Sequence, residues 1–395
     1  MLPFVLLIHI ACITVMARPA NMEVDIPKNL DVDIPKNTNG ERPKPSNRAP
    51  DDYFDTFNEI TSVTPVPARD MERFEVFGLF AKAAYCPPEM IYPVWKCGIS
   101  TERLPTFKPS MADGDGGEVQ RFFTGHWPDE EAIIVAHQGT DPLELNAILT
   151  DLKFTPKPLD SQLFPGLPED ILVHHGFSEA HSRTAKQILD EVKRLLQKTK
   201  YKKVYITGHS LGGALASLEA LFLTLNLKDH PDVSIKAVTY GMPRVGNQAF
   251  ADAFDKLVPN YKRINRHRDI VPAVPPRNFH AGLGPLQLDV EFVHMKGEIH
   301  ILENDRAVAC PGQDQNLPEC HAYDVPTLLD GNLFHHLGPY PPSGIRMGGP
   351  FCETVANAAS VLSEIRDTAL DAGAQIFDLP HNKWVVTVKE FLFGF

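Results

Sequence analysis

The chain of 395 residues lacks several features that mark whole classes of protein. It holds no Asn-x-Ser/Thr sequon, so N-glycosylation is not expected. No Cys-x-x-Cys pair and no histidine-rich cluster indicates zinc, and we expect neither a metal nor an organic cofactor. Acidic residues outnumber basic ones by 50 to 38, and a net charge of -12 without a basic run argues against a nucleic-acid ligand. Contact with a lipid surface would therefore depend on exposed apolar groups.

Long apolar runs are missing after the first residues. Residues 1–17 contain an apolar run at residues 2–11 and end in small residues, which predicts a secretory signal cleaved after Ala17. A transmembrane anchor is the competing interpretation, but the run is short and is interrupted by Pro3 and His9. No later segment is apolar enough to span a bilayer, so we expect a secreted, extracellular protein without a transmembrane anchor.

The chain divides into a polar leader, one large domain and a tail. Residues 18–55 are rich in Pro and Asn and repeat Val-Asp-Ile-Pro-Lys-Asn at residues 24–29 and 32–37. Such a segment buries too little apolar surface to order itself, which predicts a disordered linker, with a cleaved propeptide as the alternative. Residues 56–352 are expected to form the globular domain, and residues 353–395 a C-terminal helical extension.

Cysteine usage fits an oxidising compartment. One cysteine falls in the predicted signal, and the remaining odd number implies two disulfides and one leftover thiol. These five residues are Cys86, Cys97, Cys310, Cys320 and Cys352.

Hydrophobic periodicity predicts strands that alternate with long helices. Helices are predicted at residues 69–84 and 178–200, and strands at residues 132–136, 204–207, 235–240 and 261–265. Two later segments, residues 290–293 and 298–302, suggest a hairpin with Gly297 near its turn. The alternation implies a mostly parallel central sheet with helices on both faces.

The most specific local signal is Gly-His-Ser-Leu-Gly-Gly at residues 208–213, between an apolar strand and an apolar helix. Strand, Gly-x-Ser-x-Gly turn and helix together form a nucleophile elbow, which exposes a serine hydroxyl in a strained turn. Gly208 and Gly212 have no Cβ to clash where strand and helix cross. Ser210 is therefore the candidate nucleophile, since a histidine can take its proton there.

A serine nucleophile needs a base and an acidic partner from other loops. Ligands in open α/β sheets sit beyond the carboxyl ends of the strands, and Asp269 follows a predicted strand there. If the chain order is Ser, Asp, His, the base lies beyond Asp269. The histidines that qualify are His280, His294, His300, His321, His335 and His336.

Four motifs in order resemble the secreted class 3 lipases of the fungal triacylglycerol-lipase type, over about residues 69–352. They are residues 208–213, Val-His-His-Gly-Phe at 173–177, Pro-Arg-Val-Gly-Asn at 243–247 and Arg-Asp-Ile-Val-Pro at 268–272. The resemblance implies an α/β-hydrolase fold. In that family the base precedes Leu and an aromatic residue beyond a small disulfide loop, which implies His336 rather than its neighbour His335. The wider spacing to Tyr340, through Gly-Pro, departs from the family pattern.

The resemblance also implies an oxyanion hole in the loop at residues 137–140. Thr140 would supply its amide and hydroxyl, and Leu211 its amide, a contribution of about 3 kcal/mol per donor. Gln138 stands where the family has Arg, so the local ion pairing differs while the donors remain.

Residues 141–151 resemble the family's lid helix. Such a lid would swing aside at a lipid surface, and a helix simply packed on the core is the alternative. One face of it would carry Leu145, Ile148 and Leu149. The same resemblance implies the disulfides Cys86–Cys352 and Cys310–Cys320, and leaves Cys97 as a free, buried thiol.

Together these features predict a secreted carboxylic ester hydrolase, a triacylglycerol lipase with Ser210, Asp269 and His336 as its triad, whose partners are lipid esters and the lipid–water interface. A feruloyl esterase or phospholipase on the same scaffold is one alternative, and a catalytically inactive lipid-binding protein is another.

Overall fold

The computed structural model describes residues 60–141, 155–281, 288–342 and 344–348. The predicted signal, the linker or propeptide, the lid residues Leu145, Ile148 and Leu149, and the C-terminal extension lie outside these residues. Among the described residues, none of the helices has the length and apolar character that crossing a bilayer requires.

Two sheets organise the described residues. Their strands, in chain order, are β1 (Thr64–Val66), β2 (Lys108–Asp113), β3 (Phe122–Trp127), β4 (Ala132–His137), β5 (Pro156–Pro158), β6 (Leu172–His174), β7 (Lys203–His209), β8 (Ser234–Tyr240), β9 (Gly246–Asn247), β10 (Tyr261–Arg266), β11 (Asn278–Ala281), β12 (Leu288–Val293), β13 (Glu298–Ile301) and β14 (Ala307–Ala309).

The larger sheet has nine strands in the order β1-β14-β13-β10-β8-β7-β4-β3-β2. Its centre, from β13 to β4, is parallel, and the edge strands are antiparallel. The smaller sheet, β11-β12-β9-β6-β5, is antiparallel throughout. The prediction of an α/β fold around a mostly parallel central sheet is confirmed.

Helices cover both faces of the larger sheet. In chain order they are α1 (Ala68–Ala83), α2 (Pro88–Ile91), α3 (Ile99–Arg103), α4 (His175–Ser182), α5 (Ala185–Thr199), α6 (Leu211–Asn226), α7 (Gln248–Leu257), α8 (His321–Asp324) and α9 (Leu333–His336).

Strand β4 shows why both faces must be covered. Its residues are all buried, and they alternate between two separate cores. Ile134 belongs to the core that contains the aromatic side chains of α1, while Ile133 and Val135 belong to the core that contains side chains of α5, α6 and α7. Successive side chains of a strand point to opposite faces, so an unbroken apolar run needs a helix layer on each side. Burying each such side chain contributes about 1.5–3 kcal/mol.

The helix predicted over residues 178–200 is wrong as a single element. It is two helices, α4 and α5, that break at Arg183 and Thr184. The Ser182 hydroxyl donates to the carbonyl oxygen of Glu179 (2.8 Å), and the Thr184 hydroxyl donates to the carbonyl oxygen of His181 (3.5 Å). Ser and Thr offer the backbone such local bonds in place of helical ones, which explains the break.

The predicted hairpin of residues 290–302 is also wrong. Strand β12 belongs to the smaller sheet, whereas β13 joins the larger sheet beside β10. Gly297, at φ +91°, turns the chain between the two sheets. A short connection between two apolar strands does not by itself specify that they pair.

The cysteines are partly described. Cys310 and Cys320 form a disulfide with their Cα atoms 5.9 Å apart. Cys97 is buried and forms no disulfide with the described cysteines. A hydrogen bond with the Cys86 thiol and burial raise the pKa of the Cys97 thiol. Because Cys352 lies outside the described residues, the expected Cys86–Cys352 bridge stays a prediction.

Candidate active site

Four neighbouring strands of the larger sheet end at the same edge, and the residues that follow them form the candidate site. Thr140 follows β4, Ser210 follows β7, Gly241 follows β8 and Asp269 follows β10. These strands are adjacent and parallel, so their carboxyl ends meet at the same edge. His336 ends α9 and reaches this edge from a later part of the chain.

Ser210 occupies a strained turn between β7 and α6. Its backbone has φ 60° and ψ -132°, and its amide donates to the carbonyl oxygen of Tyr240 (2.9 Å). A positive φ at a residue with a Cβ is uncommon and costs free energy unless the surroundings enforce it. A Cβ on Gly208 would lie 2.1 Å from the carbonyl oxygen of Gly212. The turn therefore requires glycine where strand and helix cross.

Asp269 and His336 form a buried hydrogen-bonded pair. The His336 Nδ1 atom lies 2.9 Å from Asp269 Oδ2, and both side chains are fully buried. The second carboxylate oxygen of Asp269 accepts from the Val271 amide at 2.9 Å. A carboxylate accepts only, so His336 Nδ1 carries a proton, and in the neutral ring the lone pair is then on Nε2. That tautomer is the one a general base needs.

His336 Nε2 is buried and has no hydrogen-bond partner among the described residues. No hydrogen bond to the Ser210 hydroxyl is formed there. The two residues are nevertheless linked through the elbow, because the ring of His209 lies 4.3 Å from the ring of His336, centroid to centroid. Catalytic hydrogen bonds in unliganded sites are often long and tighten only when substrate binds.

The backbone of Gly241 packs against the Asp269–His336 pair, next to Tyr240, whose carbonyl oxygen accepts from the Ser210 amide of the elbow. Gly241 has φ +51°, and a Cβ there would lie 2.7 Å from Asp269 Oδ2 and 2.8 Å from His336 Nδ1. The sequence analysis missed this residue, although a glycine directly after a buried strand is a signal for close backbone approach.

Four of the other histidine candidates bind backbone groups, and the side chain of the fifth, His280, lies outside the described residues. The ring of His335 accepts from the Arg268 amide at 3.1 Å. The rings of His294, His300 and His321 lie 2.6–2.9 Å from carbonyl oxygens. Of the candidates whose side chains are described, only His336 contacts the Asp269 carboxylate.

Two of these histidines hold the loop that carries Asp269. His321 Nε2 donates to the carbonyl oxygen of Asp269 itself (2.6 Å), and His294 Nε2 donates to that of Pro272 (2.9 Å). Burial lowers the pKa of His321 to about 4, with His300 adding to the effect, and burial lowers the pKa of His294 well below its usual value. Both rings are therefore neutral at pH 7 and act as fixed donors.

The loop predicted to hold the oxyanion lies against the elbow. Thr140 is buried, and a Cβ on the preceding Gly139 would lie 3.0 Å from the Cβ of Ser210. A Cβ on Gly212 would lie 2.3 Å from the carbonyl oxygen of His137, so the first turn of α6 packs on the same loop. The amide of Leu211 belongs to that turn, where helix N–H groups have no intrahelical acceptor.

Gln138 anchors this loop without a charge. The backbone amide of Gln138 donates to the carbonyl oxygen of Arg121 (2.8 Å), and the side-chain oxygen of Gln138 accepts from the backbone amide of Arg121 (3.1 Å). A neutral side chain thus fixes the loop through backbone bonds.

A buried polar cluster lies behind the loop. His181 Nε2 is 3.0 Å from Glu219 Oε2, and His137 Nε2 is 3.9 Å from the same oxygen. Burial raises the pKa of Glu219 and lowers the pKa of His137 to about 3. The cluster joins β4, α4 and α6.

One group of side chains has the spacing of metal ligands in the described part of the chain. It comprises Glu298, Cys310 and Cys320, all buried. The two sulfur atoms are joined as a disulfide, and a disulfide sulfur is not the thiolate that metals bind. The group therefore does not fit a metal.

Comparison with known proteins points to one family. The family model described as Lipase (class 3) matches residues 134–279. A secreted mono- and diacylglycerol lipase, MDL2, of Malassezia globosa is 35% identical over 165 residues, which are 42% of this chain and 53% of that protein. A secreted mono- and diacylglycerol lipase of Gibberella zeae is 32% identical over 48% of this chain and 57% of its own length. The chain thus spans a little over half the length of these relatives.

Solved structures share the fold. A lipase from Rhizopus microsporus var. chinensis superposes with a TM-score of 0.59 at 25% identity, over 74% of this chain and 94% of that one. The Rhizomucor miehei lipase–propeptide complex superposes with a TM-score of 0.60 at 23% identity, over 72% and 84%. The α/β-hydrolase fold expected from the sequence is confirmed.

Proposed function

Because the class 3 lipase family model matches residues 134–279, we propose that the chain is a class 3 lipase, a secreted serine hydrolase that cleaves the carboxylic esters of acylglycerols, with triacylglycerol as the expected substrate. The observation that carries this proposal is the buried 2.9 Å contact between His336 Nδ1 and Asp269 Oδ2, beside a strained Ser210. Secretion is supported by the relatives, which are named secreted lipases.

The chemistry follows from the arrangement of the donors. The Ser210 Oγ attacks the ester carbonyl carbon while His336 Nε2 takes the hydroxyl proton. The carbonyl oxygen becomes an oxyanion, which Thr140 and the Leu211 amide receive. The tetrahedral intermediate expels the alcohol, which takes the proton from His336 and leaves Ser210 acylated. Water then attacks the acyl-enzyme with His336 as base, releasing the fatty acid.

Asp269 orients and stabilises His336 throughout this cycle. Its carboxylate fixes the Nδ1–H tautomer of His336 and stabilises the imidazolium that forms in each transition state. Because the pair is fully buried, water and salt screen this interaction much less than they would at the surface.

Specificity for partial glycerides is a second candidate. The sequence relatives described above are named mono- and diacylglycerol lipases, at up to 35% identity. Initial rates on emulsified triolein, diolein and monoolein separate the two candidates. The expected result is turnover of triolein, whereas turnover of diolein or monoolein without turnover of triolein would favour the second candidate.

The decisive variant is Ser210→Ala, assayed on p-nitrophenyl butyrate with circular dichroism as the folding control. Turnover is expected to fall by a factor of at least about 10³, since the covalent step is lost. Full activity in the folded variant would overturn the assignment.

The substrate class is tested separately on the wild-type protein. Methyl ferulate and phosphatidylcholine serve as comparison substrates, and faster cleavage of either would replace acylglycerol as the substrate class. A wild-type protein that turns over none of these esters would favour the lipid-binding alternative.

A further inference from the structure

We infer that Tyr85 and His209 form a positioning pair that holds the catalytic histidine in place, a role separate from that of Asp269. This inference rests on the proposed function, since it concerns the same reaction. Neither residue was assigned a role by the sequence motifs, in which His209 is only the residue before Ser210.

A chain of two hydrogen bonds runs from Tyr85 to the backbone of His336. The Tyr85 hydroxyl lies 2.7 Å from His209 Nδ1, and His209 Nε2 lies 2.8 Å from the carbonyl oxygen of His336. All three side chains are buried. A carbonyl oxygen only accepts, so His209 Nε2 must carry a proton.

The other ring nitrogen of His209, Nδ1, is an acceptor. Burial, reinforced by the nearby His336, lowers the pKa of His209 well below its usual value, so the ring is neutral and Nδ1 is its acceptor. The Tyr85 hydroxyl therefore donates to Nδ1. Tyr85 thus selects the one tautomer of His209 that donates to His336.

Neutrality of His209 matters because of where its ring lies. The His209 and His336 ring centroids are 4.3 Å apart. His336 becomes an imidazolium in the transition state, and a second imidazolium at that distance would oppose it. The described titratable side chains around His209 are Tyr85, His336 and Tyr340, whose ring centroid is 6.2 Å away.

Tyr85 also touches the loop that precedes Thr140. A Cβ on Gly139 would lie 2.4 Å from the Tyr85 hydroxyl oxygen and 2.4 Å from the carbonyl oxygen of His209. Arg121 Nη1 donates to the carbonyl oxygen of Tyr85 at 3.2 Å. One tyrosine therefore packs at the junction of the oxyanion loop, the elbow and the catalytic histidine.

The chain provides a matched control. Tyr340 also donates from its hydroxyl to the His336 carbonyl oxygen, at 3.1 Å. Tyr340→Phe removes a donor from that carbonyl without changing a partner of the His209 ring. Tyr85→Phe removes the donor to His209 and keeps the aromatic ring.

The test is the steady-state kinetics of both variants on p-nitrophenyl butyrate across pH 4–9. In Tyr85→Phe we expect kcat to fall about tenfold with KM unchanged, because a buried acceptor is left unpaired. The acidic limb of kcat/KM should move to higher pH, because His209 then binds a proton more readily. In Tyr340→Phe the acidic limb should stay in place.

Wild-type kcat and an unmoved acidic limb in Tyr85→Phe would overturn the inference, as would an equal shift of that limb in Tyr340→Phe. An inactive wild-type protein would instead refute the proposed function. Imidazole ¹⁵N NMR of the wild-type protein gives a second test that needs no variant. We expect His209 to show a neutral Nε2–H ring throughout this pH range, and an imidazolium signal at pH 7 would also overturn the inference.

Discussion

Replacing Gly241 by alanine would place a methyl group against the Asp269–His336 pair. The methyl carbon would lie 2.7 Å from Asp269 Oδ2 and 2.8 Å from His336 Nδ1. Ordinary contacts between such atoms begin at about 3.5 Å, so the pair must move by roughly 0.7 Å. The backbone at φ +51° adds a conformational penalty of about 1–2 kcal/mol for a residue with a Cβ.

These two effects give different readouts. A displacement of this size at the reacting groups is expected to lower kcat/KM on the order of 10²-fold. Overpacking and the positive φ together should lower the free energy of unfolding by about 2–4 kcal/mol. Hydrolysis of p-nitrophenyl butyrate measures the first quantity, and urea unfolding measures the second.

Gly166→Ala separates the two effects. Gly166 has φ +82°, and a Cβ there would meet nothing within 4 Å. This control should lose about 1–2 kcal/mol of unfolding free energy and keep wild-type kcat/KM. If folded Gly241→Ala retained kcat/KM within about twofold of wild type, the reaction would not depend on the Asp269–His336 pair.

Three further predictions concern other contacts. Asp269→Asn should lower kcat about 10⁴-fold with the fold intact, because the amide cannot fix the His336 tautomer; the p-nitrophenyl ester assay measures this. Removing the Cys310–Cys320 disulfide, which spans 10 residues, should cost about 2–4 kcal/mol in urea unfolding of the double serine variant. Burial alone would raise the pKa of Asp314, but the buried Arg244 guanidinium holds it below its usual value. The unfolding free energy should therefore fall as the pH drops below about 4, and this fall should be smaller in Asp314→Asn.

Local sequence predicted the elbow because all its parts are contiguous. Strand, glycines, serine and helix follow one another at residues 203–226, so a short window contains the whole signal. The position of Asp269 at this edge of the sheet was predictable for a similar reason, since it comes shortly after the end of β10. Strands β4, β7 and β8 of the parallel centre were predictable because each contains a short apolar run that is buried on both faces.

The proposed base could not be identified from local sequence. Six histidines qualified, and the resemblance to a family was needed to prefer His336. The contact that distinguishes it joins residues 67 positions apart along the chain. His294 and His321 look similar in sequence, yet they donate to backbone carbonyls of the Asp269 loop.

The contacts of Gly241 and Tyr85 were hidden for the same reason. Gly241 follows a strand and Tyr85 follows a helix, and neither position is unusual in sequence. Their roles depend on residues that are distant in the chain and that the fold brings into contact with them. The His209–Tyr85 contact spans 124 positions. Such contacts depend on β4, β7 and β8 lying side by side in the sheet. Hydrophobic periodicity predicts each strand but does not predict which strands pair.

The most direct measurement is peptide mass spectrometry of the native protein after reaction with a fluorophosphonate probe. The account predicts one adduct, on the Ser210 hydroxyl, formed at least about 10³-fold more slowly in folded His336→Ala. Native protein that stays unlabelled, or an adduct on another residue, would contradict it.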